Sequence, residues 1–315
     1  MNAKPDPSNA NPANPSRREV LRLGAGLAAG LTLPQGAAAA PRLERPIPGT
    51  GETLPAIGLG TWQSFDVAGN ATGTADAREV LRLFTAGGGR VVDSSPMYGS
   101  AESVVGELSA ELGLAGRLFL ATKVWTRGRE AGIAQMEESL RRMRAARLDL
   151  IQVHNLVDAE THLKTLREWQ DRGRVRYLGI THYHRGAHAE MERLMRAEKL
   201  GFVQVNYSLA EPEADERLLP LAAERGIAVI VNRPFAEGAL FERVRGRALP
   251  AWAAEFGAAS WAQFFLKWIL GRPEVTVAIP ATRKPKHLAD NLAAGSGPLP
   301  DGATRKRMLD LLREI

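Results

Sequence analysis

Short apolar segments alternate with longer amphipathic segments along most of this chain, and this alternation constrains its fold more than any other feature. The apolar runs are rich in Val, Ile and Leu, as parallel strands buried on both faces require. They occupy residues 56–61, 90–93, 118–123, 148–154, 175–181, 202–206, 228–232 and 275–279. Helical patterns separate them at residues 75–86, 101–112, 131–144, 160–172, 187–197, 213–225, 260–270 and 286–294.

Eight strands alternating with eight helices predict an α/β fold of the (β/α)8 or TIM-barrel type. A further helical pattern over residues 301–315 predicts an extra C-terminal helix. Residues 40–315 contain no linker-like stretch, so we predict that they form one barrel domain. The composition, 44% hydrophobic and 24% charged, is sufficient for a large core.

Four residues that can carry chemistry lie where predicted strands meet the following loops: Asp93, Tyr98, Lys123 and His154. The C-terminal strand ends of a (β/α)8 barrel surround its active site, so these side chains should converge at one mouth. An acid, a phenol, an amine and an imidazole together suit proton transfer to a carbonyl oxygen. The alternative is that Lys123 and Asp93 form a buried structural ion pair and that His154 is a core histidine.

These residues belong to segments that resemble the aldo-keto reductases along nearly all of residues 40–315. The matching segments are residues 58–62, 93–102, 121–123, 149–154, 173–180, 204–208 and 279–291. The resemblance implies that Tyr98 gives a proton to a carbonyl oxygen while a nicotinamide delivers hydride to the carbon. It also implies that Lys123, held by Asp93, lowers the pKa of the phenol. His154 would then orient the substrate oxygen.

The same resemblance indicates which residues face the nicotinamide. Thr181, His182 and Gln204 occupy the places of a Ser, an Asn and a Gln that hold the carboxamide in relatives. Asn232 stands where an aromatic ring often stacks on the nicotinamide. The candidates to cover the ring instead are Arg233 and Phe235.

Basic residues precede and open the last predicted βα helix. Arg283, Lys284 and Lys286 are placed to contact a 2′-phosphate, which favours NADP(H) over NAD(H), and Asn291 is placed near the adenine. The other interpretation is a solvated basic turn.

Three neighbouring histidines, His182, His184 and His188, raise the alternative of a zinc or copper site. Their spacing runs from a strand end into a loop and a helix, and no carboxylate of that segment completes a ligand set. We therefore expect no metal ion.

The N-terminal segment has the layout of an export signal. Residues 16–22, Ser-Arg-Arg-Glu-Val-Leu-Arg, resemble a bacterial twin-arginine motif, and an apolar stretch and small residues follow up to Pro41. We predict a signal peptide over residues 1–39, recognition by the twin-arginine export machinery and a periplasmic location. The apolar stretch is too short for a permanent membrane anchor. The alternative is a disordered tail with a chance Arg-Arg pair.

Composition narrows the remaining function classes. The chain has 0 cysteines, which excludes disulfides, thiolate metal sites and a cysteine nucleophile. The net charge of +6 is spread along the chain and does not predict a nucleic-acid partner.

Three functions remain open. The first is an exported NADP(H)-dependent oxidoreductase acting on an aldehyde, ketone, sugar or alcohol. Outside the cytoplasm, either a redox partner would recycle its retained cofactor, or the enzyme would work in the dehydrogenase direction on a sugar or alcohol. The second is a cofactor-binding or sensory module on the same scaffold with little or no catalysis. A barrel hydrolase or isomerase ranks last, because Asp93 has no evident partner carboxylate. The short segment 155–160 predicts an open mouth with broad specificity, or one closed by a partner chain.

Overall fold

A computed structural model describes Met1 and residues 41–315, so residues 2–39 of the predicted signal peptide lie outside the described residues. Two short antiparallel strands come first, β1 (Glu44–Pro46) and β2 (Thr53–Pro55). Eight parallel strands follow: β3 (Leu59–Gly60), β4 (Val91–Asp93), β5 (Phe119–Val124), β6 (Leu148–His154), β7 (Val175–Thr181), β8 (Phe202–Asn206), β9 (Ala228–Asn232) and β10 (Val275–Ala278).

Helices connect the parallel strands on the outside of the sheet, and two further helices of residues 41–315 follow the last strand. They are α1 (Ala71–Ala86), α2 (Ala101–Glu111), α3 (Arg129–Arg142), α4 (Ala159–Asp171), α5 (His188–Ala197), α6 (Leu218–Arg225), α7 (Ala239–Arg243), α8 (Trp261–Leu270), α9 (Pro285–Ala293) and α10 (Gly302–Glu314). Among residues 41–315, no helix has the length and apolarity needed to cross a membrane.

The sheet closes on itself. Strands β3 to β10 are hydrogen-bonded in chain order, and β10 returns to the segment that leads into β3. There the amide of Gly58 donates to the carbonyl oxygen of Ala278 at 2.8 Å, and the amide of Ala278 donates to that of Ala56 at 2.9 Å. The predicted (β/α)8 barrel is confirmed, with α10 as its additional C-terminal helix.

The barrel strands and helices differ from the sequence-based expectation in three places. The first barrel strand is regular only over Leu59–Gly60, although the preceding residues run beside β10. The helix predicted over 213–225 begins at Leu218, after a 3₁₀ turn at Glu213–Asp215. Between β9 and α8 lie α7 and a 3₁₀ helix (Ala251–Phe256), neither of which was predicted, because their apolar patterns are too short to be recognised.

The N-terminal hairpin was also not predicted, because its strands have three residues each and contain prolines. Ile47 and Leu54 of the hairpin are buried in one cluster with inward-facing strand residues such as Phe119 and Phe202. The hairpin therefore covers one end of the barrel with apolar side chains. The polar residues at the C-terminal strand ends lie at the opposite end.

Candidate active site

The site is built around a buried ion pair between neighbouring strands. Asp93 ends β4, and Lys123 lies next to the end of β5. Nζ of Lys123 lies 2.6 Å from Oδ2 of Asp93 and donates to the carbonyl oxygen of Ser94 at 2.7 Å. Burial lowers the pKa of Lys123, but the charge of Asp93 and the hydrogen bond to its carboxylate outweigh burial and raise that pKa above its ordinary value. Lys123 is therefore an ammonium ion at neutral pH.

Tyr98 lies in the loop after β4, half-buried, with its ring centroid 5.0 Å from Nζ of Lys123. Burial raises the pKa of the phenol, the charge of Lys123 lowers it in part, and the negative charge of Asp93 raises it again. The net pKa lies above the ordinary 10.0. Lys123 lowers the pKa of the phenol as expected, but desolvation of the phenolate exceeds this effect, so the net shift is upward rather than downward.

His154 ends β6 and faces the same centre. Its ring centroid lies 6.0 Å from that of Tyr98, in an edge-to-face arrangement, and its Nδ1 lies 3.1 Å from the hydroxyl of Ser95. Burial, the charge of Lys123 and the neighbouring His182 lower the pKa of His154 to about 2. The imidazole is therefore neutral, and the structure brings all four predicted catalytic side chains together.

The second oxygen of Asp93 connects this group to the predicted cofactor residues. Oδ1 of Asp93 accepts from Nε2 of Gln204 at 2.9 Å. Oε1 of Gln204 in turn accepts from the hydroxyl of Thr181 at 3.1 Å and from Nδ2 of Asn232 at 3.3 Å. Three predicted cofactor residues thus form one hydrogen-bond network with the catalytic carboxylate.

Gln152 of β6 belongs to this network, and sequence reasoning missed it. Its Nε2 donates to Oδ1 of Asp93 at 3.3 Å. The available signal was an amide within an otherwise apolar strand interior, two residues before His154.

Asn232 and Arg233, which follow the apolar part of β9, form hydrogen bonds with the loop that follows β7. Nδ2 of Asn232 donates to the carbonyl oxygen of His182 at 3.0 Å, and Nη1 of Arg233 donates to that of Tyr183 at 2.7 Å. Oδ1 of Asn232 is buried and has no hydrogen-bond partner within the described part of the chain. Asn232, which stands where an aromatic residue was expected, therefore connects two loops through its Nδ2 group. Its Oδ1 remains available to accept a hydrogen bond.

Phe235, the other candidate to cover the nicotinamide, is half-buried and packs on neighbouring apolar rings. Its ring centroid lies 4.8 Å from that of Phe241 and 6.5 Å from that of Phe265. These contacts account for Phe235 as a packing residue of the loop after β9.

The three histidines after β7 make different contacts. The rings of His182 and His184 lie 4.3 Å apart, while Nε2 of His188 lies 3.1 Å from Oδ1 of Asn206. Over residues 41–315, no group of three or more His, Cys, Asp or Glu side chains is arranged to hold a metal ion.

The N-terminus of α9 has the properties of an anion site. Lys284 is its N-cap residue, and no side chain accepts from the first helical amides. Arg283 is half-buried, Lys284 and Lys286 are exposed, and none of the three forms an ion pair with another described residue. Asn291 is buried on the same helix. Unsatisfied amides and three cations together favour a phosphate group.

Comparison with known proteins places this geometry in a family. Residues 56–305 match the sequence profile of the Aldo/keto reductase family. The methylglyoxal reductase YeaE of Escherichia coli is 30% identical over 249 residues, which are 76% of this chain and 85% of that protein. The aldo-keto reductase YhdN of Bacillus subtilis is 28% identical over 206 residues, which are 61% of each protein, so the matched part is less than two thirds of YhdN.

A solved structure has a similar fold. The aldo-keto reductase from Klebsiella pneumoniae in complex with NADPH superposes with a TM-score of 0.72 at 25% identity, covering 86% of this chain and 95% of that one.

Proposed function

This chain belongs to the aldo/keto reductase family, and we propose that it is an NADP(H)-dependent oxidoreductase that interconverts a carbonyl compound and an alcohol. The observation that carries the proposal is the convergence of Asp93, Tyr98, Lys123 and His154 at one end of the barrel. The aldo/keto reductase from Klebsiella pneumoniae, solved with NADP and acetate, is a relative of 25% identity that binds this cofactor.

A bound nicotinamide supplies or accepts the hydride. In the reduction direction Tyr98 donates its phenolic proton to the carbonyl oxygen, because its raised pKa keeps it protonated at neutral pH. The ammonium of Lys123 then stabilises the phenolate, and Asp93 keeps that ammonium in place. Neutral His154 orients the substrate oxygen, and in the oxidation direction Tyr98 accepts the proton.

The cofactor residues fit a nicotinamide at one end and a phosphate at the other. The free buried acceptor Oδ1 of Asn232 suits the amide nitrogen of a carboxamide, next to Thr181, His182 and Gln204. Arg233, beside them, remains the candidate to cover the ring, since Phe235 already packs on Phe241.

At the other end, Arg283, Lys284 and Lys286 with the free amides of α9 would hold a 2′-phosphate, and Asn291 would contact the adenine. The phosphate supplies the preference for NADP(H).

We further propose that residues 1–39 direct export through the twin-arginine machinery to the periplasm, and that a redox partner recycles the cofactor there. The support is the Arg17-Arg18 pair followed by an apolar stretch and small residues. A reporter protein fused to residues 1–39 should reach the periplasm, and Arg17→Lys with Arg18→Lys should keep it in the cytoplasm. Export of the double variant would contradict this proposal.

The first test of the enzymatic proposal is titration of the full chain with NADPH and with NADH, followed by nicotinamide fluorescence. We expect NADPH to bind more tightly. A screen of small aldehydes and ketones then compares the protein with Tyr98→Phe, for which we expect kcat to fall roughly 10²- to 10⁴-fold, the usual contribution of a general acid. Tyr177→Phe is the matched control, because its hydroxyl contacts Glu52 away from the site.

Two outcomes would contradict the proposal in different ways. If neither nucleotide binds, the chain is not a nicotinamide oxidoreductase. If NADPH binds but the screen finds no turnover that depends on Tyr98, the protein is a cofactor-binding module on a reductase scaffold.

A further inference from the structure

Gln152 is a buried amide for which the barrel core has no structural need. It is fully buried in the middle of β6, paired in register with Lys123 on β5 and Gly179 on β7. Residues in register share a face of the sheet, so Gln152 faces the interior beside Lys123. Its Nε2 donates to Oδ1 of Asp93 at 3.3 Å. Its Oε1 is buried and has no hydrogen-bond partner among residues 41–315.

Asp93 depends on two amides for its second oxygen. Oδ2 is taken by Lys123 at 2.6 Å, and Oδ1 accepts from both Gln204 and Gln152. Gln204 has further partners, Thr181 and Asn232, and belongs to the residues assigned to the carboxamide. Gln152 has Asp93 as its single side-chain partner in the described structure.

We propose that Gln152 is a positioning residue for catalysis, which holds the carboxylate of Asp93 while Gln204 serves the cofactor. This inference rests on the proposed function and deepens it. With Oδ1 held by Gln152, Oδ2 stays on Lys123, and Lys123 stays beside the phenol of Tyr98. The role is indirect, because Gln152 acts through Asp93 and Lys123.

The energetics separate this role from a structural one. A buried amide oxygen without a partner costs stability, so an apolar side chain of similar length at position 152 should be tolerated by the fold. A buried amide that lowers the stability of the fold is expected at a position where the function of the protein needs it. Loss of turnover without loss of stability would thus identify positioning.

The experiment compares the full chain with Gln152→Met in NADPH binding, carbonyl reduction, alcohol oxidation and thermal unfolding. We expect kcat to fall on the order of tenfold, a modest part of the effect of a general acid, with the Kd for NADPH within about twofold and Tm unchanged or higher. Gln152→Asn, which keeps a shorter amide, should recover part of the turnover. Ile151→Val is the matched control, because Ile151 is buried on the same strand in the cluster between the sheet and the helices.

The pH dependence of turnover distinguishes the two roles, because a purely structural role of Gln152 would not shift the pKa of Tyr98. The charged or titratable groups around Tyr98 are Asp93 on β4, Lys123 on β5 and His154 on β6, and the charge of Asp93 raises the pKa of Tyr98. Removal of the Gln152 donor leaves the negative charge of Asp93 less compensated by hydrogen bonds. The Tyr98 limb should therefore move to higher pH, and oxidation, which needs the phenolate, should lose more activity at neutral pH than reduction.

Each contrary outcome has a distinct meaning. Wild-type kcat and pH profile in Gln152→Met would overturn the inference and leave the proposed function intact. A parallel fall of Tm, NADPH affinity and kcat would also overturn it, because the role would then be structural. Failure of the unmodified protein to bind NADPH would instead refute the proposed function.

Discussion

Asp93 is the residue on which the hydrogen bonds of the site converge. One oxygen pairs with Lys123, and the other accepts from two glutamines on different strands. Its two shortest contacts, 2.6 Å to Lys123 on β5 and 2.9 Å to Gln204 on β8, join β4 to two other strands of the barrel. Substitutions here should therefore affect stability as well as turnover.

Lys123→Met should destabilise the protein strongly, because it leaves Asp93 as a buried charge with its main partner removed. The side chains of Lys123 and Asp93 are 0% and 3% exposed. Breaking a buried pair costs roughly 3–5 kcal/mol in the free energy of unfolding. Denaturant unfolding of Lys123→Met and of the double variant with Asp93→Asn measures this, and the double variant should recover part of the loss. Equal stability of the two variants would contradict the argument.

The pH dependence of reduction should be governed by Tyr98. Its pKa lies above 10.0, so the proton donor remains protonated through the neutral range and is lost only in alkali. The pKa of His154, lowered to about 2, places its titration far below that range. Measured kcat/KM for carbonyl reduction should be flat around neutral pH and fall above pH 10. A limb near pH 6.5 that disappears in His154→Gln would show that His154 titrates there.

At the scale of elements, the catalytic residues lie at or near the C-terminal ends of the strands, and the loops that follow position residues for the cofactor. Asn232 and Arg233 at the end of β9 both donate to carbonyl oxygens of the loop after β7. These two hydrogen bonds therefore join the loops beside the carboxamide residues. The α9 N-terminus, by contrast, has few partners and is free to receive an anion.

Replacement of the basic residues at α9 should change nucleotide choice rather than turnover. Arg283→Ala should weaken NADPH binding about tenfold, the scale of one charge-assisted hydrogen bond, and leave NADH binding unchanged. Lys306→Ala on α10 is the control, because it removes a lysine that pairs with Asp310 instead. Fluorescence titration with both nucleotides at two salt concentrations measures the effect. An equal loss for NADH would show that Arg283 does not contact the 2′-phosphate.

At the scale of the whole molecule, barrel closure depends on a close approach between the first and last strands. A Cβ at Gly60 would lie 2.8 Å from the carbonyl oxygen of Ile279. The backbones beside β3 and β10 meet there, with the amide of Gly60 donating to Pro280 at 3.2 Å. A side chain at this position would therefore push the two strands apart and weaken closure.

Gly60→Ala should lower the free energy of unfolding by about 1–3 kcal/mol, because backbone atoms must move to admit the methyl group. Gly302→Ala is its counterpart at the start of α10, where a Cβ would meet nothing within 4 Å. We expect that variant to be about 0.4–1 kcal/mol more stable. Chemical denaturation of both variants decides the matter, and equal effects would contradict the closure argument.

The sequence by itself determined the barrel and the convergence of its catalytic residues. Four strands, β6 to β9, have the predicted bounds, since their Val- and Ile-rich runs are bounded by turn residues. Parallel strands end at the same edge of a barrel, so their terminal polar residues must meet. This local periodicity was enough to bring Asp93, Lys123 and His154 together.

Only the tertiary structure decided how those residues interact. The partnership of Gln152 with Asp93, the loops joined by Asn232 and the apolar cover made by β1 and β2 connect residues distant in the chain. The pKa of Tyr98 lies above its ordinary value because burial outweighs Lys123, and the depth of burial follows from packing. Hydrogen-bond partners and desolvation depend on distances in space, which no local pattern encodes.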